Sequence, residues 1–227
     1  MPFKATEGDA EIREIDRWDG GIGWIAHPNE QMQRASHALV GDDGVWLVDP
    51  VDCEGLDDLV SPFGEVTGVV VLLDRHKRDA AALARRHDVA VSLPRRLRGI
   101  AGDIDARTRT FRDTLGETDY RTVPVVDNAL WTEVALYDAD SGTLVVPEAV
   151  GTADYFSTGT AALGVHPALR AVPPRAALGE LSVERTLVGH GEGVFTDASA
   201  RLDAALRNAR RTAPELYLRT VRDLLPV

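Results

Sequence analysis

The chain has 227 residues, 44% of them apolar, which is typical of a globular protein with a buried core. Its one cysteine, Cys53, excludes an internal disulfide and a cysteine-based zinc cluster. No apolar run is long enough to cross a bilayer, and the N-terminal segment lacks the basic and apolar regions of a signal peptide. We therefore expect one cytoplasmic domain over residues 1–227 with no membrane partner.

The formal net charge of −11 is built from an unusual choice of side chains. The chain has 23 Asp against 13 Glu, and 2 Lys against 23 Arg. This pattern resembles that of proteins from halophiles that keep molar salt inside the cell, although a GC-rich genome would by itself favour Arg over Lys. The acidic balance argues against nonspecific nucleic-acid binding, which requires a basic face.

In the first half of the chain, short apolar segments that end at Asp, Gly or Pro alternate with amphipathic ones. They predict strands at 23–26, 36–40, 45–48, 68–73 and 89–93, and helices at 52–60 and 77–87. The run Gly68–Leu73 is apolar throughout, as expected for a strand that is covered on both faces. The loop Asp74–Arg78 connects this strand to the following helix.

The second half begins with hairpin-like segments and ends with helices. We predict strands at 107–112, 120–125, 130–137, 143–146 and 185–188, and helices at 174–181, after Thr196 or Asp197, and at 212–225. The loop Gly189–Gly193 follows the last strand. Two half-sheets with helices outside them predict an α/β fold in the form of a four-layer αββα sandwich.

Three loops at the ends of predicted buried strands carry polar residues that packing alone does not explain. They contain the segment Asp74–Asp79, Glu148 and His190. Loops at strand ends are where open sheets place their functional sites. These three loops are therefore the candidate functional region.

The order of these loops resembles the metallo-β-lactamase fold superfamily over nearly the whole chain. Trp46–Pro50 looks like that family's early strand ending in a buried Asp. Asp74-x-His76-x-Arg78-Asp79 follows an apolar strand where the family has H-x-H-x-D-H. Thr143–Glu148 is similar to the strand that ends in a metal-bridging Asp, and Leu187–Gly191 is similar to the final G-H-G loop. The resemblance implies the αββα fold and a metal-dependent hydrolase.

The resemblance also implies which residues hold the metal. Arg78 stands where the family has a metal-binding Asp, and no His occurs from 88 to 165, so a second metal ion is not expected. The candidate ligands of a single ion are Asp74, His76, Asp79, Glu148 and His190. Zinc is the expected ion, with iron or manganese as alternatives because carboxylate-rich ligand sets accept them.

In such a hydrolase, a metal-activated water would attack an ester, thioester, amide or phosphate bond of a small-molecule substrate. Asp79 and Arg78 are the candidate catalytic residues. A guanidinium stays protonated and cannot ligate a metal, but an inward-facing Arg78 would stabilise an anionic substrate or a developing oxyanion.

The alternative is a catalytically silent homologue. In that case Asp74, Arg75, Arg78, Asp79 and Glu148 would pair with one another in place of a metal, because buried charges must be paired. The cleft would then bind a small anionic ligand or a protein partner.

Several residues outside the motifs also have expected roles. Asp49 is expected to support a neighbouring ligand or to cap its strand, and His166 is given no role. An arginine-rich stretch favours a carboxylate or phosphate ligand, or pairs with the acidic surface. It comprises Arg95, Arg96, Arg98, Arg107, Arg109 and Arg112.

Overall fold

The computed structural model describes residues 2–5, 12–159 and 161–224, with side chains as far as Leu218. Within this part of the chain, the largest sheet has seven strands that are neighbours in sequence order. They are β1 (Arg13–Trp18), β2 (Gly21–Ile25), β3 (Ala35–Gly41), β4 (Gly44–Val48), β5 (Val66–Val70), β6 (Val91–Pro94) and β7 (Thr108–Phe111). Strands β1 to β4 are antiparallel, and β4 to β7 are parallel.

The second sheet has four strands among the described residues, in the order β13-β10-β9-β8. They are β8 (Arg121–Asn128), β9 (Trp131–Asp138), β10 (Thr143–Val146) and β13 (Arg185–Val188). Strands β10 and β13 are parallel, whereas β9 is antiparallel to both β8 and β10. A short pair, β11 (Val150–Gly151) and β12 (Gly164–Val165), lies apart from both sheets.

The α-helices are α1 (Leu56–Val60), α2 (Ala80–Arg86), α3 (Arg175–Leu178) and α4 (Ala198–Leu224). Segments of 3-10 helix cover Ser61–Phe63, Arg95–Asp103 and Pro167–Leu169. Over the described residues, no helix combines the length and apolar character needed to span a membrane.

Three hydrophobic clusters define the layers. One includes Val69 and packs the seven-stranded sheet against α1 and α2, through residues such as Leu83. A second includes Val70 and lies between the two sheets, where it meets Leu136. A third packs the four-stranded sheet against α4, through residues such as Leu202. Val69 and Val70 join different clusters because successive strand residues point to opposite faces. The predicted αββα arrangement is confirmed.

Two differences from the predicted elements have a physical explanation. Strand β1 was not predicted because its sequence, Arg-Glu-Ile-Asp-Arg-Trp, buries little apolar surface. The two predicted C-terminal helices form one helix, α4, which continues through Pro214. Proline removes one backbone hydrogen bond, but Leu206 and Leu216 remain buried on either side of it, so packing outweighs that loss. Residue 225, the end of the predicted helix, lies outside the described residues.

Candidate metal centre

The polar loops meet at one edge of the sandwich. Asp49 directly follows β4, His76 lies on the loop after β5, Glu148 follows β10, and His190 follows β13. Strands β4 and β5 are parallel, as are β10 and β13, so within each sheet the carboxyl ends lie together. Packing of the two sheets then brings both pairs of loops into one site.

Three of the predicted ligands form a group that can hold a metal ion. His76, Glu148 and His190 are buried, and one ligand atom from each lies within 4.8 Å of the others. His76 Nε2 is 3.7 Å from Glu148 Oε2, and the two imidazole centroids are 5.4 Å apart. Two imidazoles and one carboxylate are a common ligand set for a single zinc ion with an open coordination position.

The His76 ring is oriented by Asp49. Its Nδ1 lies 3.1 Å from Asp49 Oδ2, while Asp49 Oδ1 accepts a hydrogen bond from the backbone N–H of Leu72. Burial lowers the pKa of His76 well below its usual value, and burial raises the pKa of Asp49 to about 7. When Asp49 is ionised it can only accept, so the proton of His76 is on Nδ1 and the Nε2 lone pair faces Glu148. A carboxylate behind a ligating imidazole fixes its tautomer and direction in this way.

The His190 ring is oriented by the backbone. Its Nδ1 lies 2.9 Å from the carbonyl oxygen of Met32, which can only accept, so Nδ1 carries the proton. Burial lowers the pKa of His190 well below its usual value. The unprotonated Nε2 is buried and has no hydrogen-bond partner among the described residues. A buried acceptor without a partner is costly, and a bound cation would satisfy it.

Glu148 lies between two cationic or hydrogen-bonding side chains. Arg75 Nη2 is 2.9 Å from Glu148 Oε2, and His166 Nε2 is 3.5 Å from Oε1. His166 Nδ1 accepts a hydrogen bond from the N–H of Ala168, so the His166 proton is on Nε2 and points at the carboxylate. Burial raises the pKa of Glu148, and Arg75 opposes that shift. Sequence reasoning gave His166 no role because only the fold brings it to Glu148.

A second buried glutamate supports the backbone of Glu148. Glu133 Oε1 accepts the N–H groups of Glu148 and Ala149, each at 2.8 Å, and Oε2 accepts the indole N–H of Trp131. Burial raises the pKa of Glu133 to about 7. Sequence reasoning missed this residue. The available signal was a carboxylate in β9 directly before the apolar run Val-Ala-Leu at 134–136.

Comparisons by sequence find no relative: no protein-family model matches the chain, and no curated protein matches it. Solved structures do match.

DIM-1 metallo-β-lactamase has a TM-score of 0.62 at 13% identity, covering 89% of this chain and 100% of that one. The mono-zinc form of FIM-1 metallo-β-lactamase from Pseudomonas aeruginosa has a TM-score of 0.57 at 10% identity, covering 89% and 97%. The flavodiiron protein from Giardia intestinalis has a TM-score of 0.60 at 13% identity, covering 88% and 60%. The chain has the metallo-β-lactamase fold.

On this metallo-β-lactamase fold, two of the five predicted ligands lie outside the group of three. Asp74 Oδ2 accepts the backbone N–H of Thr132 at 2.8 Å, and Asp79 Oδ2 accepts that of Asp52 at 2.9 Å. Each carboxylate therefore ties its loop to a neighbouring segment of backbone. Of the five candidate ligands, His76, Glu148 and His190 form the group that could hold one ion, whereas a ligand role for Asp74 and a ligand or catalytic role for Asp79 stay predictions.

Arg78 also differs from its expected position. Its guanidinium donates to the carbonyl oxygens of Ala35, Asp49 and Gly189, at 2.5, 2.7 and 3.0 Å. The residue has a φ of 39°, in the left-handed region that side chains rarely adopt. Through these three bonds, the two Nη atoms of Arg78 cross-link β3, the end of β4 and the loop before His190.

Arg75 is the arginine that pairs with Glu148. Its guanidinium stacks over the Trp131 ring, 4.0 Å from the centroid, while it pairs with Glu148 and lies 3.4 Å from Asp74. The Arg75 side chain is 39% exposed, so it reaches from the buried carboxylate to the surface. Part of the charge network expected for a metal-free protein is therefore present, with Arg75 at its centre.

Proposed function

We propose that this protein is a metal-dependent hydrolase that holds a single ion through His76, Glu148 and His190. The observation that carries the proposal is the buried, unprotonated Nε2 of His190, which lacks a partner among the described residues and lies in a group of ligand atoms within 4.8 Å of one another. Both imidazoles are neutral because burial lowers their pKa values, and neutral imidazole is the form that ligates metals.

Zinc is the ion we propose first, because two histidines and a glutamate hold zinc in hydrolases. Iron and manganese remain alternatives, since a set of two histidines and a carboxylate with open positions also suits iron(II). The matched structures include a mono-zinc metallo-β-lactamase, which supports zinc, and a flavodiiron protein, which supports iron.

An ion of this kind supplies Lewis acidity and lowers the pKa of a water molecule that it binds. The protein's own residues prepare the site. Asp49 and the Met32 carbonyl fix the two imidazoles, so little reorganisation is needed when the site is loaded. The ring of Phe156, fully buried with its centroid 5.7 Å from that of His190, excludes water from one side.

We propose a small-molecule substrate with an ester, thioester, amide or phosphate bond and an anionic group. Arg75 is the residue placed to bind that anionic group, because its guanidinium is partly exposed beside Glu148 and held flat against Trp131. A guanidinium fixed in this way is preorganised to bind a carboxylate or phosphate with two hydrogen bonds.

The alternative function is that of a silent homologue that binds a small anion. The Arg75–Glu148 ion pair favours it, because Arg75 already neutralises the oxygen that would ligate a metal. In this case the cleft holds no ion, and the anion binds to Arg75.

Metal content separates the two functions. The protein is expressed with zinc, iron and manganese supplied, and metals are counted by mass spectrometry for the wild type and for the His190→Ala, Glu148→Gln and His27→Ala variants. We expect about one ion per chain in the wild type and in His27→Ala, whose histidine lies outside the cluster, and about a tenth of that in the other two.

Hydrolysis of a panel of esters, thioesters and phosphate esters is then measured on the same samples. Activity should follow the metal content and disappear with a chelator. A wild type without stoichiometric metal, whose melting temperature a chelator leaves unchanged, contradicts the hydrolase and supports the silent homologue.

A further inference from the structure

We propose that an arginine-lined cavity beside the candidate metal centre binds a compact polyanion, such as a diphosphate or a polycarboxylate. The cavity has a volume of about 730 Å³, and four arginines line it: Arg95, Arg96, Arg98 and Arg112. Cavities that hold small molecules usually enclose about 300 to 1,000 Å³.

The arginines reach the cavity from two separate segments. Three of them lie on the 3-10 helix Arg95–Asp103, directly after β6, and Arg112 directly follows β7. Strands β6 and β7 are parallel, so both segments lie at carboxyl ends of the same sheet. Pro94 and the buried Val134 add apolar surface to the lining. Apolar surface with a few converging charged groups is typical of a small-molecule site.

The charge balance at the cavity is opposite to that of the molecule. Its two acidic lining residues are Asp113 and Asp127, so the four arginines leave an excess of two positive charges in a chain with a net charge of −11. Arg96 pairs with Asp127, whereas Arg95, Arg98 and Arg112 have no ion-pair partner in the described part of the chain.

Unpaired guanidiniums around one cavity repel one another, and a bound anion removes that repulsion. Guanidinium binds phosphate and carboxylate oxygens through two parallel hydrogen bonds, so several of them favour a ligand with more than one negative charge. The observations therefore favour a compact polyanion over a monovalent anion.

The cavity also lies close to the candidate metal centre. Asp127 is opposite Thr132 in the pairing of β8 with β9, and the N–H of Thr132 donates to Asp74, the neighbour of Arg75. The binding of the polyanion itself does not depend on the proposed hydrolase activity.

Isothermal titration calorimetry with pyrophosphate and with citrate tests the proposal. The protein is stripped of metal and dialysed first, because both probes bind divalent cations. The test variant is Arg98→Ala/Arg112→Ala. The control is Arg85→Ala/Arg207→Ala, which removes two exposed positive charges outside the cavity. Thermal unfolding checks that each variant is folded.

We expect at least one probe to bind the wild type, with an affinity about tenfold lower in the test variant and within about twofold of wild type in the control. Binding of pyrophosphate alone identifies a phosphate ligand, and binding of both identifies a general polyanion site.

The proposal is overturned if neither probe binds at millimolar concentration, or if both double variants weaken binding equally. It is also overturned if a short single-stranded RNA binds these arginines more tightly than either probe. Because the calorimetry uses protein that is free of metal, its result is independent of the result of the metal-content experiment.

Discussion

At the scale of single residues, the protonation of the histidines determines what the centre can bind. His76 and His190 each direct an Nδ1 proton at a fixed acceptor, one at Asp49 and the other at the Met32 carbonyl. Both Nε2 lone pairs are thereby left for the group that contains Glu148. The direction of two protons converts two buried rings into a potential pair of metal ligands.

Glu133 provides a prediction at this scale. All three of its hydrogen-bonding partners are donors, namely the N–H groups of Glu148 and Ala149 and the indole of Trp131. In Glu133→Gln, the amide NH₂ must face a donor, so a buried donor is left unsatisfied. We expect the free energy of unfolding, measured by denaturant titration, to fall by about 1–3 kcal/mol.

The matched control is Glu117→Gln, since Glu117 is exposed. It should change the free energy of unfolding by less than about 0.5 kcal/mol. Equal effects of the two substitutions would show that the carboxylate of Glu133 does not hold the Glu148 backbone.

At the scale of elements, the loop after β13 positions the candidate metal ligand His190 through its own backbone hydrogen bonds. The carbonyl of His190 accepts the N–H groups of Thr152 and Ala153, and the N–H of Gly191 donates to Gln33. These bonds join the loop to the segment after β11 and to the segment before β3. The position of the His190 ring therefore depends on the backbone conformation of the next residue.

Gly191→Ala tests this dependence. Gly191 has a φ of 92°, and a Cβ atom there would lie 2.2 Å from Thr152 Oγ1. The substitution adds strain of about 1–3 kcal/mol and must displace the loop. We expect a lower melting temperature and a reduced metal content per chain.

Gly99→Ala serves as the comparison, because a Cβ atom at Gly99 meets no atom within 4 Å. It should leave both the melting temperature and the metal content unchanged. If Gly191→Ala binds metal as the wild type does, the loop does not position His190.

At the scale of the whole molecule, charge is the dominant feature. A net charge of −11 with 23 Asp favours a protein that is stable in concentrated salt, where the Debye length falls to about 3 Å at 1 M. The ion pairs observed among the described residues, such as Arg86 with Asp52, involve fewer than half of the acidic residues. The uncompensated carboxylates repel one another in dilute buffer.

We expect the melting temperature to rise with KCl concentration. Each 1 kcal/mol of relieved repulsion raises Tm by about 2–4 °C in a chain of this size, so a rise of at least about 5 °C between low and molar KCl is expected. Differential scanning calorimetry measures it, with an uncharged osmolyte at equal osmolality as the control. A Tm that does not change when molar KCl is removed would show that the composition reflects genome bias instead.

The sequence by itself predicted the layers and placed the candidate centre on the loops that follow the strands. Alternation and apolar runs predict the strands, and polar residues at strand ends indicate which loops lie at the edge. His76, Glu148 and His190 could be proposed from their order along the chain.

Only the tertiary structure decided where the remaining side chains point. Asp74 and Asp79 accept backbone N–H groups, and Arg78 donates to three carbonyls, because unpaired backbone groups from distant segments lie closest to them. His166 reaches Glu148 through a separate pair of short strands, β11 and β12. Sequence spacing fixes which end of a strand a loop occupies. The direction of a side chain depends on local φ and on partners contributed from elsewhere in the fold, and neither can be read along the chain.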